Sequence, residues 1–348
     1  MKLVRTLAIR AVNLLLVLFL VLFLVVIIIG ATGTSDKILM AMVREEVSTY
    51  RQTISRTITD PEALSKAVET YREELMKAYG LDKPWYTRIG DMLVRIALLD
   101  LGKSKGLQTF SGSNRVIDLI MERLPNTILL VTTATVLAFL IGLLVGVRLA
   151  TAVGSRLDRA LTYFSAVSYA LPTWWTGIIF ILIFYFYLRL FPAGGMYSVP
   201  PPEGELSKLL DLLWHAALPI AVLVLATVGS NIYVTRTVVI NIAQEDYVTV
   251  ARAKGLSERI VRWRYIARVA APPILTQLIL GLAGSIGGAI LTETVFGWPG
   301  MGLLFYQAIT SSDEALILGL VYVFTLVYVI ARFVLEMLYV ILDPRVRI

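Results

Sequence analysis

The stretch AVNLLLVLFLVLFLVVIII, Ala11 to Ile29, decides the fold class. A helix needs about 20 apolar residues to cross the hydrocarbon of a bilayer, and this run supplies them with only Asn13 interrupting. Lys2, Arg5 and Arg10 precede it. The apolar region of a signal peptide covers about 7–15 residues, so the longer run here reads as an uncleaved first helix that starts in the cytoplasm.

The rest of the chain agrees with a membrane protein. Its residues are 57% hydrophobic and 16% charged, with a mean hydropathy of +0.76. A soluble chain could hardly cover that much apolar surface. Five further apolar stretches run over 127–147, 161–190, 216–233, 273–291 and 315–342, the second long enough to tilt or to leave the membrane. Between the first and second spans, about Ala31 to Arg123, the composition turns polar and charge-mixed. There Pro61-Glu62-Ala63-Leu64 opens a helical run towards Tyr79, with Gly80 as its stop.

Six spans place both termini on one side. One set of loops carries Lys2, Arg5 and Arg10, then Arg148, Arg156 and Arg159. It continues with Arg236, Arg252, Lys254, Arg259, Arg262, Arg264 and Arg268, and ends with Arg345 and Arg347. In the opposite short loops, 197–214 holds Lys208 beside Glu203, Glu205 and Asp211, and 293–314 holds Glu293, Asp313 and Glu314 without a cation. The positive-inside rule assigns the basic set to the cytoplasm. It also explains the net charge of +7 without nucleic acid.

Composition narrows the chemistry. With no cysteine, disulfides, zinc–thiolate sites and cysteine nucleophiles are excluded. The single histidine, His215, beside Trp214 before the fourth span, reads as an interfacial residue. No H-E-x-x-H or G-x-S-x-G occurs, which argues against an intramembrane protease. Gly102-Lys103-Ser104 mimics the end of a phosphate-binding loop, but Ala97 stands where the earlier glycine is required.

One cytoplasmic insertion, 236–268, has internal order. From Glu245 to Lys254 good helix formers carry acids early and cations late, which suits the helix dipole. Gly255 supplies a left-handed cap. Ser257, with Glu258 in the first turn, can cap a second helix to about Arg268, before Pro272-Pro273 begins the next span. Helix, glycine and helix form a knuckle outside the membrane, suited to docking a partner.

The residues Glu245-Asp246-Tyr247-Val248-x-x-Ala251-Arg252-Ala253-Lys254-Gly255-Leu256-Ser257, with Pro273 beyond, closely resemble the cytoplasmic signature of ABC importer permeases. More narrowly they resemble the dipeptide, oligopeptide and nickel branch, whose pattern accommodates Thr249 and Val250. Further matches are Gly80-Leu81-Asp82-Lys83-Pro84, Leu99-Asp100-Leu101-Gly102-Lys103-Ser104 and Glu122-Arg123-Leu124-Pro125-Asn126-Thr127. Others are Ser168 to Trp175, Phe191-Pro192-Ala193-Gly194-Gly195, Glu293 to Gly302 and Leu342-Asp343-Pro344-Arg345. Residues 33–74 match no motif of the family.

The resemblance implies an all-α type I importer permease with six transmembrane helices and a small, mostly helical extracytoplasmic domain between helices 1 and 2. Its parts would be 1–30, the N-terminal helix; 31–123, the external domain; 124–342, the permease core; and 343–348, a cytoplasmic tail. Glu245, Asp246, Tyr247, Ala251, Arg252, Ala253, Lys254, Gly255, Leu256 and Ser257 would couple to an ATPase. The implied partners are a second homologous permease, two ATP-binding subunits and an extracytoplasmic binding protein. ATP and magnesium would be used by those ATPases, with no cofactor or metal in this chain. The implied cargo is peptide or oligosaccharide.

The remaining residues have two readings each. Gly281, Gly284, Gly287 and Gly288 read as a packing seam, with pathway lining as the alternative. Gly297, Gly300 and Gly302 read as turns of an external gate. Trp174 and Trp175 read as an interfacial belt or as substrate contacts. Arg332 and Glu336 stand where the family usually has Asn and Asp, and read as an intramembrane ion pair or a gating element. The competing class is an ion-coupled secondary transporter, which would usually show mid-membrane charges and paired broken helices.

Overall fold

A computed structural model describes residues 2–56, 58, 60–150 and 153–342. Among them every regular element is helical, and the sole sheet-like feature is an isolated bridge between Lys103 and Arg115. The helices are α1 (Lys2–Ala31), α2 (Thr34–Ile54), α3 (Pro61–Ala78), α4 (Ile89–Ala97), α5 (Val116–Ala150), α6 (Arg156–Ala170) and α7 (Thr173–Tyr187). There follow α8 (Glu205–Ala243), α9 (Asp246–Ala253), α10 (Glu258–Ile286), α11 (Ile290–Val295), α12 (Met301–Thr310) and α13 (Glu314–Leu342). Five contain stretches long and apolar enough to cross a membrane: α1, α5, α8, α10 and α13. Taking α6 and α7 as one bent span makes six. The C-terminal motif at Asp343-Pro344-Arg345 and the expected tail lie outside the described residues.

The third apolar stretch departs from the expected single tilted span. It breaks at Leu171-Pro172, and α6 and α7 meet at 97°. Proline disfavours helical backbone in the residue before it, and Leu171 is extended with ψ 118. A second difference lies between 258 and 286. Pro272-Pro273 does not start a new element, because α10 runs through both from Glu258, with a π turn over Val261–Ala267. The π geometry loosens the hydrogen-bond ladder one turn before the prolines, which lack the N–H that an α-helix would use. The same helix stops at Ile286, short of the expected end at 291.

The chain divides into two units. One comprises 15–120 and 308–325. In it α2 and α3 form an antiparallel pair, with Tyr50 and Tyr71 stacked at 4.0 Å between ring centroids. Asp60 caps α3 by accepting from the Glu62 N–H at 3.3 Å. Gly80 ends it at φ +64, with the Leu81 N–H on the Met76 carbonyl and the Gly80 N–H on Lys77. That double bond is the Schellman pattern, which satisfies the last free carbonyls of the helix. Ser104, in the sequence that mimicked a phosphate loop, donates to the buried Asp313 carboxylate at 2.5 Å, beside the Lys105 N–H at 2.8 Å.

The other unit comprises the described parts of 1–14, 121–307 and 326–348. Its core is the crossing of α5 and α8. A Cβ added to Gly142 would overlap Asn231, and one added to Gly146 would meet Thr235 Cβ at 2.7 Å. Gly142-x-x-x-Gly146 therefore lets the two helices approach closely, the use small residues serve between membrane helices. The expected seam on α10 is placed differently. Gly281 makes ordinary contact with Thr135, Gly284 has open space around it, and Gly287 and Gly288 lie beyond the helix end.

Candidate functional site: the coupling knuckle and the Glu293 loop

The knuckle begins where α8 ends. Helix α8 has 39 residues, which at 1.5 Å each is roughly 58 Å, well beyond the thickness of a bilayer core. A helix of that length extends past the hydrocarbon, and Glu245 to Ser257 follow directly on its C-terminal end. Glu245 takes extended backbone as the N-cap residue of α9, and Asp246 and Arg252 sit at the ends that suit the dipole. Gly255 has φ +75. The Leu256 N–H reaches the Ala251 carbonyl at 3.4 Å and the Gly255 N–H reaches Arg252 at 2.9 Å, a second Schellman closure. Ser257 stands at the start of α10 but makes no side-chain capping bond, so the expected hydroxyl cap is absent.

Burial divides the knuckle into two faces. Val248 and Ala251 are buried, and Leu256 packs beside them against Val239, Val261, Ile266 and Ala270. Those apolar contacts fix α9 to α8 and α10. The opposite face is exposed and mixed: Tyr247, Val250, Arg252, Lys254 and Gly255. Arg252 Nε lies 3.0 Å from Glu258 Oε1 across the glycine bend. Nothing lies within 4 Å of a Cβ built on Gly255, so this glycine serves its backbone angle and leaves the surface flat. An anchored inner face under an exposed, charged outer face can transmit a push from a docked partner.

A second constellation forms at the far end of the same unit. Glu293, on α11, is fully buried. Its Oε1 accepts from the Thr127 hydroxyl at 3.1 Å and the Ala289 N–H at 3.4 Å. Its Oε2 accepts from the N–H groups of Gly302 at 2.8 Å and Leu303 at 3.1 Å. Burial pushes the carboxyl above its ordinary value, while the bonds from Leu303, Thr127, Ala289 and Gly302 pull it back. Trp298 is buried and donates from Nε1 to the Asn126 carbonyl at 2.9 Å, and Asn126 Nδ2 donates to Pro299 at 2.8 Å. The Gly195 N–H closes on the Phe296 carbonyl at 2.8 Å. Gly288 and Gly300 abut this network: added Cβ atoms would come within 2.8 Å and 2.5 Å of Glu293 oxygens. Gly297 turns the chain at φ +58.

Three motifs far apart in sequence, 122–127, 191–195 and 293–302, thus meet in one locked structure. Glu293 appeared in the sequence as one loop acid among others. The available signal was an acid among glycines and apolar residues with no neighbouring cation.

Trp174 and Trp175 open α7 just after the bend, both partly exposed. Gly284 lies on an open stretch of α10. Arg332 and Glu336 are 4.0 Å apart, at the edge of an ion pair. His215 is buried, and its Nδ1 donates to the Asp211 carbonyl one turn back at 2.8 Å. One stronger pair escaped the sequence reading. Asp158 Oδ1 and Oδ2 receive Arg236 Nε at 2.6 Å and Arg236 Nη2 at 2.8 Å, in a buried bidentate bond that ties α6 to α8.

The geometry defines a helical component with several apolar spans and an exposed, anchored knuckle, and comparison with known proteins gives its class. A family model described as binding-protein-dependent transport system inner membrane component matches residues 138–348, which include the knuckle and the Glu293 loop. The chain belongs to that family: it is a multi-pass permease of binding-protein-dependent transport. Among its relatives is the oligopeptide transport system permease protein AppB of Bacillus subtilis, 31% identical over 281 residues, with 81% of this chain and 86% of that protein covered. The di/tripeptide transport system permease protein DppB of Pseudomonas aeruginosa is 34% identical over 289 residues, covering 79% and 84%. The inner membrane ABC transporter permease protein YejB of Escherichia coli O157:H7 is 30% identical over 295 residues, covering 82% and 76%.

Proposed function

We propose that this chain is one of two permeases in an ATP-driven importer of peptides, coupled to its ATPases through Glu245–Ser257. The observation that carries the reading is the two-faced knuckle, anchored through Val248, Ala251 and Leu256 and exposed along Tyr247, Val250, Arg252 and Lys254. The relatives named for oligopeptide and di/tripeptide transport support peptides as cargo. Both termini and the knuckle face the cytoplasm, as the loop charges favour, and residues 31–123 face outside. Six spans result when α6 and α7 count as one.

In this reading ATP and magnesium act in two separate ATPase subunits, whose closure pushes on the knuckle. Because α9 packs on α8 and α10, the push reaches the helical core and switches it from inward-facing to outward-facing. A binding protein then delivers cargo from outside. The second permease is a homologous chain rather than a copy. The test is Gly255→Arg. The open space at Gly255 lets the protein insert and fold, while the bulky cation on the docking face abolishes uptake. Unchanged uptake of labelled peptide by that variant would sink the coupling assignment.

A further inference from the structure

An open cavity of about 570 Å³ lies at the end of α7, at the opposite end of α8 from the knuckle. Its walls include Tyr185, Phe186, Phe191 and Trp214, with Arg189 and His215 among its polar residues. Phe191 and Trp214 stack at 4.7 Å between centroids and stiffen one wall.

Arg189 is the unusual member. It stands beside the short loop 197–214, which with the short loop 293–314 holds a single cation, Lys208, so its charge runs against the bias of the short loops on that side. Its backbone is left-handed, φ +55, at the turn that closes α7. The Leu190 and Phe191 N–H groups both reach back to the Phe184 carbonyl, at 2.8 and 3.3 Å. Glycine usually fills such a closing position because other residues are strained there. A bulky cation kept at a strained position points to a use for its side chain. Among the described residues no carboxylate pairs with the guanidinium. Asp211, in the adjoining concavity, is already held by the Ser198 N–H at 2.7 Å, the Ser198 hydroxyl at 2.8 Å and His215.

The surroundings select the ligand. Around the mouth Leu182, Phe186, Tyr187, Leu190 and Leu213 are exposed, an apolar collar that bilayer lipid would cover. Tyrosine and tryptophan at a span end sit at headgroup depth. A lone arginine without a surrounding nest of N–H donors binds free phosphate poorly. It suffices when the phosphate is already held nearby by acyl chains in the same leaflet. We propose that this cavity holds the phosphate diester of a membrane phospholipid, with Arg189 as its counter-ion, in the leaflet opposite the knuckle.

The test is native mass spectrometry of the purified full chain, titrated in detergent with phosphatidylglycerol and, separately, with inorganic phosphate. The wild type should retain phosphatidylglycerol, and Arg189→Gln should weaken that retention about fivefold, the usual weight of one cation against anionic lipid. Arg189→Lys, which keeps the charge, should stay within about twofold of the wild type, because Lys and Arg carry the same weight against anionic lipid. Retention by Arg189→Gln equal to wild type would overturn the proposal. Displacement of the lipid by excess inorganic phosphate would also overturn it, in favour of a free-anion site. The readout needs no transport and is independent of the coupling assignment.

Discussion

The knuckle and the Glu293 loop are both built around glycines, and they use them in opposite ways. Gly255 has no atom within 4 Å of its missing Cβ, while Gly288, Gly300 and Gly302 have other residues' atoms within 3.0 Å of theirs. At the knuckle the glycine is needed for its φ of +75, and its surroundings are open. In the loop Gly300 and Gly302 are needed for space, which the Glu293 carboxylate and the backbone of Ala289 and Ile290 fill, while Gly288, at φ +75, is needed for both space and angle. A glycine-rich motif can therefore mark a surface kept open or a scaffold packed shut. The neighbours decide which.

The sharpest way to break the comparison is Glu293→Ala. It leaves the Thr127 hydroxyl and the N–H groups of Ala289, Gly302 and Leu303 without their shared acceptor. Stranding buried donors of that kind is expected to cost about 3–5 kcal/mol. The thermal midpoint of the detergent-solubilised chain, followed by size-exclusion chromatography, should fall steeply; a midpoint within error of wild type would show that the loop is not locked by this carboxylate.

Next in size is the contrast between Gly300→Ala and Gly255→Ala. The first drives a methyl group into Thr127 and Glu293, toward the upper end of the about 1–3 kcal/mol usual for overpacking. The second meets nothing and costs only the left-handed strain, about 1 kcal/mol. If the two variants melt together, the distinction between space and angle is wrong.

What could be read in advance follows from the range of each interaction. The knuckle was readable because a Schellman cap involves residues within one turn, and Glu245 to Leu256 contains all of them. The same holds for Pro61 to Gly80. The bend at Leu171-Pro172 was present in the sequence, since proline disfavours helical backbone before it, but the apolar run on either side masked it. The α5–α8 seam at Gly142 and Gly146 was hidden because partners on another helix, Asn231 and Thr235, define it. Glu293 with Thr127, and Asp158 with Arg236, are pairs of distant residues whose meeting depends on the packed helices. Local chemistry was thus visible, and the polar ties between helices were not.

The smallest expected effect on stability separates folding from docking most cleanly. Arg252 and Glu258 form an ion pair 3.0 Å long whose side chains are 44% and 54% exposed. Pairs of that exposure contribute about 0–1 kcal/mol, because water screens them and two long side chains must be held still. Arg252→Ala should therefore leave the thermal midpoint almost unchanged. In the proposed coupling, the weakness of the pair leaves Arg252 available, because an ATPase would draw the guanidinium from Glu258 at little cost. Co-purification of the ATPase with the Arg252→Ala chain should then fall although the chain is intact, and retention at wild-type level would remove Arg252 from the docking face.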